Sequence, residues 1–302
     1  MIRISLVKIF LNHHSINFDM KIMVTGANGQ LGQEFQNNVS KSKDDYYFTD
    51  ELELDITNKN HILNYVSDNQ IDLIINCAAY TNVNKSETNK NQAIKVNSDA
   101  VKNLVEVCEE KKIKMIHFST DYVYNSSSLN PIKEDSNINP INYYGYSKRE
   151  GEKIIQKSLS QSIIIRTSWL YSMYGNNFVK TIIKKGKNSD KVYVVNDQFG
   201  CPTYSKDLVD FIFNIINSNK LKKYKVYNFS NEGYTNWHDF TKKIFELKKI
   251  NCSVIAVNSD YYKSIAKRPK YCVTDKSRIK DIFNFSIRNW EDALEDFIIN
   301  YK

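Results

Sequence analysis

Residues 23–32 read MVTGANGQLG, an apolar run followed by the glycine pattern G-x-x-G-x-x-G. Three of the chain's nine glycines fall within this segment, and a helical pattern starts directly after it. In such a strand–turn–helix unit, Gly26 allows a tight turn, Gly29 lets the backbone approach a pyrophosphate, and Gly32 allows close helix–strand packing. The helix N-terminus would add free N–H groups for the phosphates. The segment predicts a dinucleotide site, the alternative being a purely structural turn.

Short β-branched runs alternate with longer segments of helical periodicity along the rest of the chain. The candidate strands are 21–25, 46–49, 72–77, 115–119, 163–167 and 192–195. The candidate helices are 31–39, 59–68, 91–111, 143–156, 178–185, 207–217, 237–247 and 290–301. This alternation predicts an α/β fold, a doubly wound parallel sheet of the Rossmann type with helices on both faces.

We expect two regions after an N-terminal extension. Residues 20–171 would form the dinucleotide-binding domain, and later strands would return to it from the C-terminal half. Residues 172–302 would form mainly a smaller substrate-binding lobe over the carboxyl ends of the strands, where open α/β sheets bind ligands. Residues 1–19 lack a signal-peptide pattern, so we expect either a loose extension or a start of translation at Met20.

The composition, with 41% hydrophobic and 25% charged residues, is typical of a soluble globular protein. Five widely spaced cysteines predict reduced thiols and a cytoplasmic location. The histidines lack metal-ligand spacing, so we expect no metal site. No apolar stretch is long enough to span a membrane. We interpret the net charge of +8 as spread over the surface, although nucleic-acid binding is an alternative that rests on charge alone.

Asp50 follows the predicted strand 46–49 and is a candidate for contact with the adenosine ribose. An acid at the end of the second strand can accept hydrogen bonds from the ribose hydroxyls, which favours NADH over NADPH. The alternative is that Asp50 is an ordinary turn residue.

Tyr144 and Lys148 lie four residues apart at the start of a helical segment, so their side chains share one helix face. An ammonium beside a phenol favours the phenolate, which makes tyrosine a better proton donor to a developing alkoxide. Lys148 could also hold the nicotinamide ribose. Thr120 follows the strand 115–119 and would place a hydroxyl at the carboxyl edge of the sheet. Together the three predict a site that polarises a ketone and protonates it; a strand-end cap and a packed aromatic are the alternatives.

Ten segments in order give the chain a resemblance to the extended short-chain dehydrogenases, and within them to the dTDP-4-dehydrorhamnose reductase family. The resemblance extends from about Met20 to Leu294 and rests on residues 25–32, 53–57, 76–81, 96–100, 119–124, 144–148, 166–169, 175–178, 197–203 and 267–269. Two positions depart from the family pattern. Asn84 stands where the family usually has aspartate, and Cys201 stands where it usually has serine.

The resemblance implies reduction of dTDP-4-dehydrorhamnose to dTDP-L-rhamnose, with NADH or NADPH as cofactor and NADH slightly favoured through Asp50. It implies that Gln30 and Leu31 contact the pyrophosphate and that Asp55 and Ile56 lie near the adenine. Further cofactor contacts would come from Asn28, Ala78, Ala79 and Tyr80, in addition to Tyr144 and Lys148.

The resemblance also implies a nucleotide-sugar site. Its residues would be Thr120, Asp121, Tyr122, Trp169, Asn177, Gln198, Thr203 and Arg268. Arg268 would anchor the diphosphate, since a guanidinium can grip phosphate with two hydrogen bonds. Trp169 would offer a flat apolar face to the sugar ring and an N–H to a hydroxyl. The alternatives are a strand-end acid for Asp121, a core aromatic for Trp169 and a solvated arginine for Arg268.

Other functions stay open at this point. The chain could be another nucleotide-sugar 4-ketoreductase. It could also be a non-catalytic subunit, because this fold resembles the regulatory partner of methionine adenosyltransferase. The presence of Thr120, Tyr144 and Lys148 together argues against that subunit. We expect a nucleotide-sugar substrate and a possible homodimer, and neither a nucleic-acid nor a membrane partner.

Overall fold

The structure, a computed structural model, describes residues 19–125, 129–218 and 225–301. Its strands are β1 Lys21–Thr25, β2 Asp45–Thr49, β3 Leu73–Asn76, β4 Lys114–Thr120, β5 Ser162–Thr167, β6 Leu170–Tyr171, β7 Lys191–Val195, β8 Phe199–Gly200, β9 Thr203–Tyr204, β10 Val226–Phe229, β11 Thr235–Asn236, β12 Ser253–Val257 and β13 Tyr271–Cys272. Its α-helices are α1 Gln30–Asn38, α2 Lys59–Asn69, α3 Val83–Thr88, α4 Lys90–Ile94, α5 Ala100–Lys111, α6 Tyr143–Lys157, α7 Phe178–Lys187, α8 Ser205–Ser218, α9 Trp237–Lys248, α10 Ser277–Phe283 and α11 Trp290–Asn300. Residues 1–18 of the predicted N-terminal extension lie outside the described residues.

Six parallel strands form the central sheet in the order β10-β5-β4-β3-β1-β2. The predicted α/β fold class is therefore confirmed. From β1 the chain moves to one side to form β2 and later returns to the other side to form β3. Open α/β sheets bind ligands at such a switch point, outside the carboxyl ends of the strands. The fold thus places a crevice beside the glycine segment.

Both faces of the sheet are covered, which explains its continuous apolar runs. In β1, Ile22 and Val24 point to one side and Met23 to the other, as the period of a strand requires. The first side packs against α1, α8 and α10. The second side packs against α2, α5 and α6. As predicted, the runs 73–75 and 163–165 are buried strand residues, each 1% exposed or less.

The C-terminal half contributes to two bodies of structure. Helices α8 and α10 and strand β10 pack into the central sheet, and β10 was not among the strands predicted from the sequence. A smaller lobe surrounds a separate apolar cluster that includes residues of α7, α9 and α11. The predicted strand 192–195 belongs to β7, which pairs in parallel with β12 and contributes Val192 and Val194 to this cluster. The domain boundary at residue 171 stays a prediction.

The predicted helix 91–111 is interrupted in the structure. A π-helical turn, Lys95–Asp99, separates α4 from α5. At this turn the side chain of Asn97 reaches out of the helix to bind Tyr80 and Ser147. Such π-turns often occur at functional sites. Across the described ranges, no helix has the length and apolar character needed to cross a bilayer.

Candidate active site

A cleft of about 870 Å³ opens at the carboxyl ends of the central strands and extends to aromatic residues of the lobe. It brings together most of the residues predicted from the sequence. These are Gly26, Asn28, Gly29, Gln30, Leu31, Asp50, Asp55, Ile56, Ala78, Ala79, Tyr80, Thr120, Asp121, Tyr122, Tyr144, Lys148, Trp169 and Asn177. Gly32, Gln198, Thr203 and Arg268 do not line it.

The glycine segment forms one wall of the cleft. Gly26 adopts φ +66°, and a Cβ there would lie 2.7 Å from the backbone nitrogen of Ala78, so a side chain is excluded for two reasons. Gly29 precedes α1 with no side chain of the described residues capping the helix, which leaves N–H groups free. A Cβ at Gly32 would clash with the carbonyl oxygen of Gly26. Gly32 therefore serves packing behind the cleft.

Asp50 lies beside this wall. One of its carboxylate oxygens accepts a hydrogen bond from the backbone nitrogen of Asn28 at 2.7 Å, and the other accepts from Glu51 at 2.7 Å. The carboxylate thus holds the glycine segment against the end of β2 while facing the cleft. Its predicted contact with a ribose stays a prediction.

The segment after β3 faces the glycine wall. Asn97 holds it by accepting a hydrogen bond from the backbone nitrogen of Tyr80 at 2.9 Å and donating to the Tyr80 carbonyl at 3.0 Å. The same amide donates to Ser147 Oγ on α6 at 2.9 Å. Asn97 therefore joins the predicted cofactor groove to the helix that carries Tyr144 and Lys148. Sequence reasoning did not identify this role, because a side chain leaving a helix at a π-turn has no periodic signal.

Helix α6 positions the tyrosine and the lysine. It starts at Asn142, whose side chain accepts a hydrogen bond from the Gly145 nitrogen at 2.8 Å. A Cβ at Gly145 would clash with the carbonyl oxygen of Tyr122, so the glycine lets the helix approach the end of β4. Burial raises the pKa of Tyr144 to about 12, and a hydrogen bond with Thr120 acts in the opposite direction. The phenol is therefore protonated at neutral pH.

Thr120 and Asp121 complete this part of the site. Thr120 Oγ1 accepts a hydrogen bond from the Tyr122 nitrogen at 3.2 Å and donates one to Asp121 Oδ1 at 3.1 Å. Asp121 is buried, and burial raises its pKa to about 7. Its Oδ2 has no hydrogen-bond partner in the described part of the chain. The Thr120 hydroxyl thus caps the turn after β4 and also lies within hydrogen-bonding reach of Tyr144.

Lys148 is almost fully buried and lies next to a histidine that sequence reasoning missed. Its Nζ is 3.2 Å from Nε2 of His117, a residue of β4 with no exposed surface. Burial lowers the pKa of Lys148 to about 8. Burial likewise lowers the pKa of His117 well below its usual value, so the imidazole is neutral. The signal that could have found it is a histidine inside an otherwise apolar strand, MIHF at residues 115–118.

Trp169 departs from the expectation of an open aromatic face. Its ring stacks on Trp237 with centroids 3.5 Å apart and planes 6° apart. On the pyrrole side, a Cβ at Gly200 would lie 2.6 Å from both Nε1 and Cε2, so the Gly200 backbone packs against the ring. The ring is thus held between the two residues, and the expected free face is not present. The residue lines the cleft, and its contact with a sugar stays a prediction.

The other predicted sugar contacts are more scattered. Gln198 donates a hydrogen bond to Ser259 Oγ at 2.9 Å. Thr203 has no exposed surface and therefore offers none to a ligand. The Arg268 guanidinium donates to the Ala266 carbonyl at 3.2 Å and to Asn84 Oδ1 at 3.2 Å.

Asn177 does line the cleft, but it faces the glycine segment. It donates to Gln30 Oε1 at 3.1 Å and so connects the start of α7 with α1. The structure thus supports a place for Asn177 at the boundary between lobe and sheet, close to the predicted cofactor wall. Its predicted contact with the sugar stays a prediction.

Comparison with known proteins identifies close relatives over nearly the whole chain. The family model described as RmlD substrate binding domain matches residues 20–302. The dTDP-4-dehydrorhamnose reductase of Aggregatibacter actinomycetemcomitans is 36% identical, covering 91% of this chain and 97% of the relative. The dTDP-4-keto-6-deoxy-D-glucose reductase of Streptomyces niveus is 30% identical, covering 90% and 94%.

A solved structure is similar to the chain in both fold and sequence. It is dTDP-4-dehydrorhamnose reductase from Bacillus anthracis in complex with NADP. It has 36% sequence identity and a TM-score of 0.90, covering 94% of this chain and 100% of that one.

Proposed function

The chain belongs to the RmlD substrate binding domain family, and from this premise we propose that it reduces dTDP-4-dehydrorhamnose to dTDP-L-rhamnose with NADH or NADPH. One observation carries the proposal. A single cleft is lined by the glycine segment on one side and by Thr120, Tyr144 and Lys148 on the other. A dinucleotide and a ketone bound there would therefore meet.

The residues of the first wall fit a nicotinamide dinucleotide. The close approach of Gly26 to the Ala78 backbone and the uncapped start of α1 leave room and N–H groups for a pyrophosphate. Gln30 and Leu31 would hold the pyrophosphate, and Asp55 and Ile56 would lie near the adenine. When bound, the cofactor supplies the hydride that the ketone carbon accepts.

The residues of the second wall would handle the proton. The Thr120 hydroxyl, which donates to Asp121 Oδ1 at 3.1 Å in the structure, would turn to donate to the ketone oxygen instead. Tyr144 would give its phenolic proton to the same oxygen as the carbon accepts a hydride. The raised pKa of Tyr144, about 12, keeps this proton available at neutral pH. Transfer leaves a phenolate, which an ammonium at Lys148 would stabilise. Lys148 would also hold the nicotinamide ribose.

The sugar nucleotide would extend from this wall toward the lobe. Asp121 Oδ2 has no hydrogen-bond partner within the described ranges, so it could accept from a sugar hydroxyl once a local movement exposes this buried oxygen. Tyr122, Trp169 and Asn177 would provide further contacts in the cleft. Gln198, Thr203 and Arg268 would also contact the sugar nucleotide, which requires movement of their segments. We further propose that the protein assembles as a homodimer.

Another nucleotide-sugar 4-ketoreductase is the second candidate, because a relative named for a different 4-keto sugar is also 30% identical. A non-catalytic subunit is disfavoured, since Thr120, Tyr144 and Lys148 converge on one cleft.

The proposal is tested by incubating the protein with NADH or NADPH and dTDP-4-dehydrorhamnose, with the product identified by NMR. Formation of dTDP-L-rhamnose is expected. Turnover only with a different 4-keto sugar nucleotide would establish the second candidate. Binding of the dinucleotide without turnover of any of these sugars would support the non-catalytic subunit.

A further inference from the structure

A continuous chain of buried polar side chains lies beneath the cleft. Thr25 Oγ1 donates to Asn76 Oδ1 at 2.7 Å, and Asn76 Nδ2 lies 2.9 Å from Nδ1 of His117. The other ring nitrogen, Nε2, lies 3.2 Å from Lys148 Nζ. All four residues are 2% exposed or less. The chain therefore links Lys148 to three strands of the sheet, β4, β3 and β1, through groups that the proposed reaction does not otherwise use.

A backbone group sets the direction of these hydrogen bonds. The Ala78 nitrogen lies 3.2 Å from Asn76 Oδ1, and a backbone N–H can only donate. The oxygen of the Asn76 amide must therefore face Ala78, and its NH₂ group must face His117. Because the amide nitrogen also only donates, Nδ1 of His117 is an acceptor and carries no proton.

The imidazole of His117 sets the direction of the last hydrogen bond, the one to Lys148. Burial lowers the pKa of His117, so the ring is neutral and has one proton, which must be on Nε2. That N–H points at Lys148 Nζ. An ammonium group has only donors, whereas a neutral amine has a lone pair that can accept this hydrogen bond. The geometry thus matches the amine and opposes the ammonium.

We propose that Asn76 and His117 are positioning residues that favour the neutral amine of Lys148 in the cofactor-free protein. Lys148 then gains a proton only if the His117 proton moves to Nδ1 and the Asn76 amide rotates, which breaks its hydrogen bond with Ala78. The inference rests on the proposed function only where it gives the charge of Lys148 a role in turnover.

The charged and titratable groups around Lys148 are consistent with this assignment. Glu152 on α6 favours the ammonium of Lys148, but its carboxylate is already paired with Arg166 of β5 at 2.6 Å, both residues being 1% exposed, and burial outweighs it in the pKa of Lys148. Burial raises the pKa of the Cys77 thiol after β3, which keeps it neutral. Tyr144, on the same helix as Lys148, is also protonated at neutral pH. Burial lowers the pKa of Lys148 to about 8, in the same direction as the N–H of His117.

Nitrogen-15 NMR of the cofactor-free protein tests the inference without any turnover. The ring signals of His117 are assigned by their loss in His117→Gln. At about pH 9, above the Lys148 pKa, we expect the proton on Nε2, and it should shift to Nδ1 as Lys148 titrates on lowering the pH. A proton on Nδ1 throughout this range would overturn the proposal. A failed reductase assay would leave this result unaffected and would count against the proposed function alone.

Asn76→Asp should reverse the direction of the chain. The carboxylate can accept from Thr25, from Ala78 and from Nδ1–H of His117, so Nε2 becomes the acceptor that an ammonium needs. We expect Nδ1–H in the NMR spectrum at about pH 9. The fall in turnover rate at alkaline pH, as the Lys148 ammonium loses its proton, should move upward by about one pH unit.

Two control variants separate this effect from a structural one. Thr25→Val removes one donor to Asn76 but leaves Ala78, so the His117 tautomer should stay as in the unmodified protein. The double variant Asn76→Asp/His117→Gln should lose the shift of the alkaline limb. A shift retained without His117 would show that the carboxylate acts directly on Lys148 and would overturn the proposed path. If Asn76→Asp does not fold, the spectra of the unmodified protein and Thr25→Val still decide.

Discussion

The two ends of the cleft differ in how the chain brings their residues together. At the glycine end, one continuous segment supplies the turn, the backbone approach and the helix start, and Gly26 meets the Ala78 backbone directly. At the lobe end, Trp169 is held by Gly200 and Trp237, which come from separate parts of the chain. Backbone geometry shapes the first end, and side-chain packing between distant segments shapes the second. The following experiments probe this difference.

Tyr144→Phe should have the largest effect, because it removes the proposed proton donor where the two ends meet. We expect a loss of roughly 10²–10⁴-fold in kcat with the Kd for NADH little changed, as is usual for general acid–base catalysis. Tyr146→Phe is a matched control on the same helix, since Tyr146 is 41% exposed and does not line the cleft. Near-normal turnover by Tyr144→Phe would refute the assigned role.

Trp169→Ala tests the packed end. With both ring faces covered, we expect a loss of about 3 kcal/mol in the free energy of unfolding, at the lower end for a large aromatic because the ring is half-buried. Binding of NADH and of the sugar nucleotide should weaken together as the lobe loosens. Thermal unfolding and both dissociation constants are the measurements. An unchanged Tm with a raised KM for the sugar alone would instead show a direct sugar contact.

Gly26→Ala tests the backbone end. The positive φ of +66° and the clash with Ala78 should cost about 1–2 kcal/mol, expressed mainly as weaker dinucleotide binding by about tenfold. Gly233→Ala offers a control at φ +82°, where the nearest atoms belong to Trp290 rather than to the cleft. Calorimetric titration with NADH compares the two. Equal losses in both variants would mean that the effect is general strain.

Asp50→Asn should have the smallest effect. A 2′-phosphate near the Asp50 carboxylate would be repelled by about 1 kcal/mol, so we predict an NADH preference of about fivefold that weakens in the variant. The kcat/KM values for NADH and NADPH provide the test. If the unmodified protein uses NADPH better than NADH, Asp50 acts only on the glycine segment, where it holds the Asn28 nitrogen. The predicted NADH preference can be compared with the Bacillus anthracis relative, whose solved structure contains NADP.

The sequence by itself determined the features whose cause is local or periodic. The three glycines, the four-residue spacing of Tyr144 and Lys148, and the buried apolar runs each predict their own geometry, because strand and helix periods fix where side chains point. The family resemblance, which the matched family model confirms, added further residues that line the cleft, such as Gln30, Ile56 and Asp121.

Only the tertiary structure decided the features that depend on contacts between distant segments. The covered faces of Trp169, the full burial of Thr203 and the return of β10 to the sheet all arise from packing partners far along the chain. The same holds for the polar chain from Thr25 to Lys148, since the direction of a buried hydrogen bond depends on which donor faces which acceptor. Sequence spacing carries no record of that pairing.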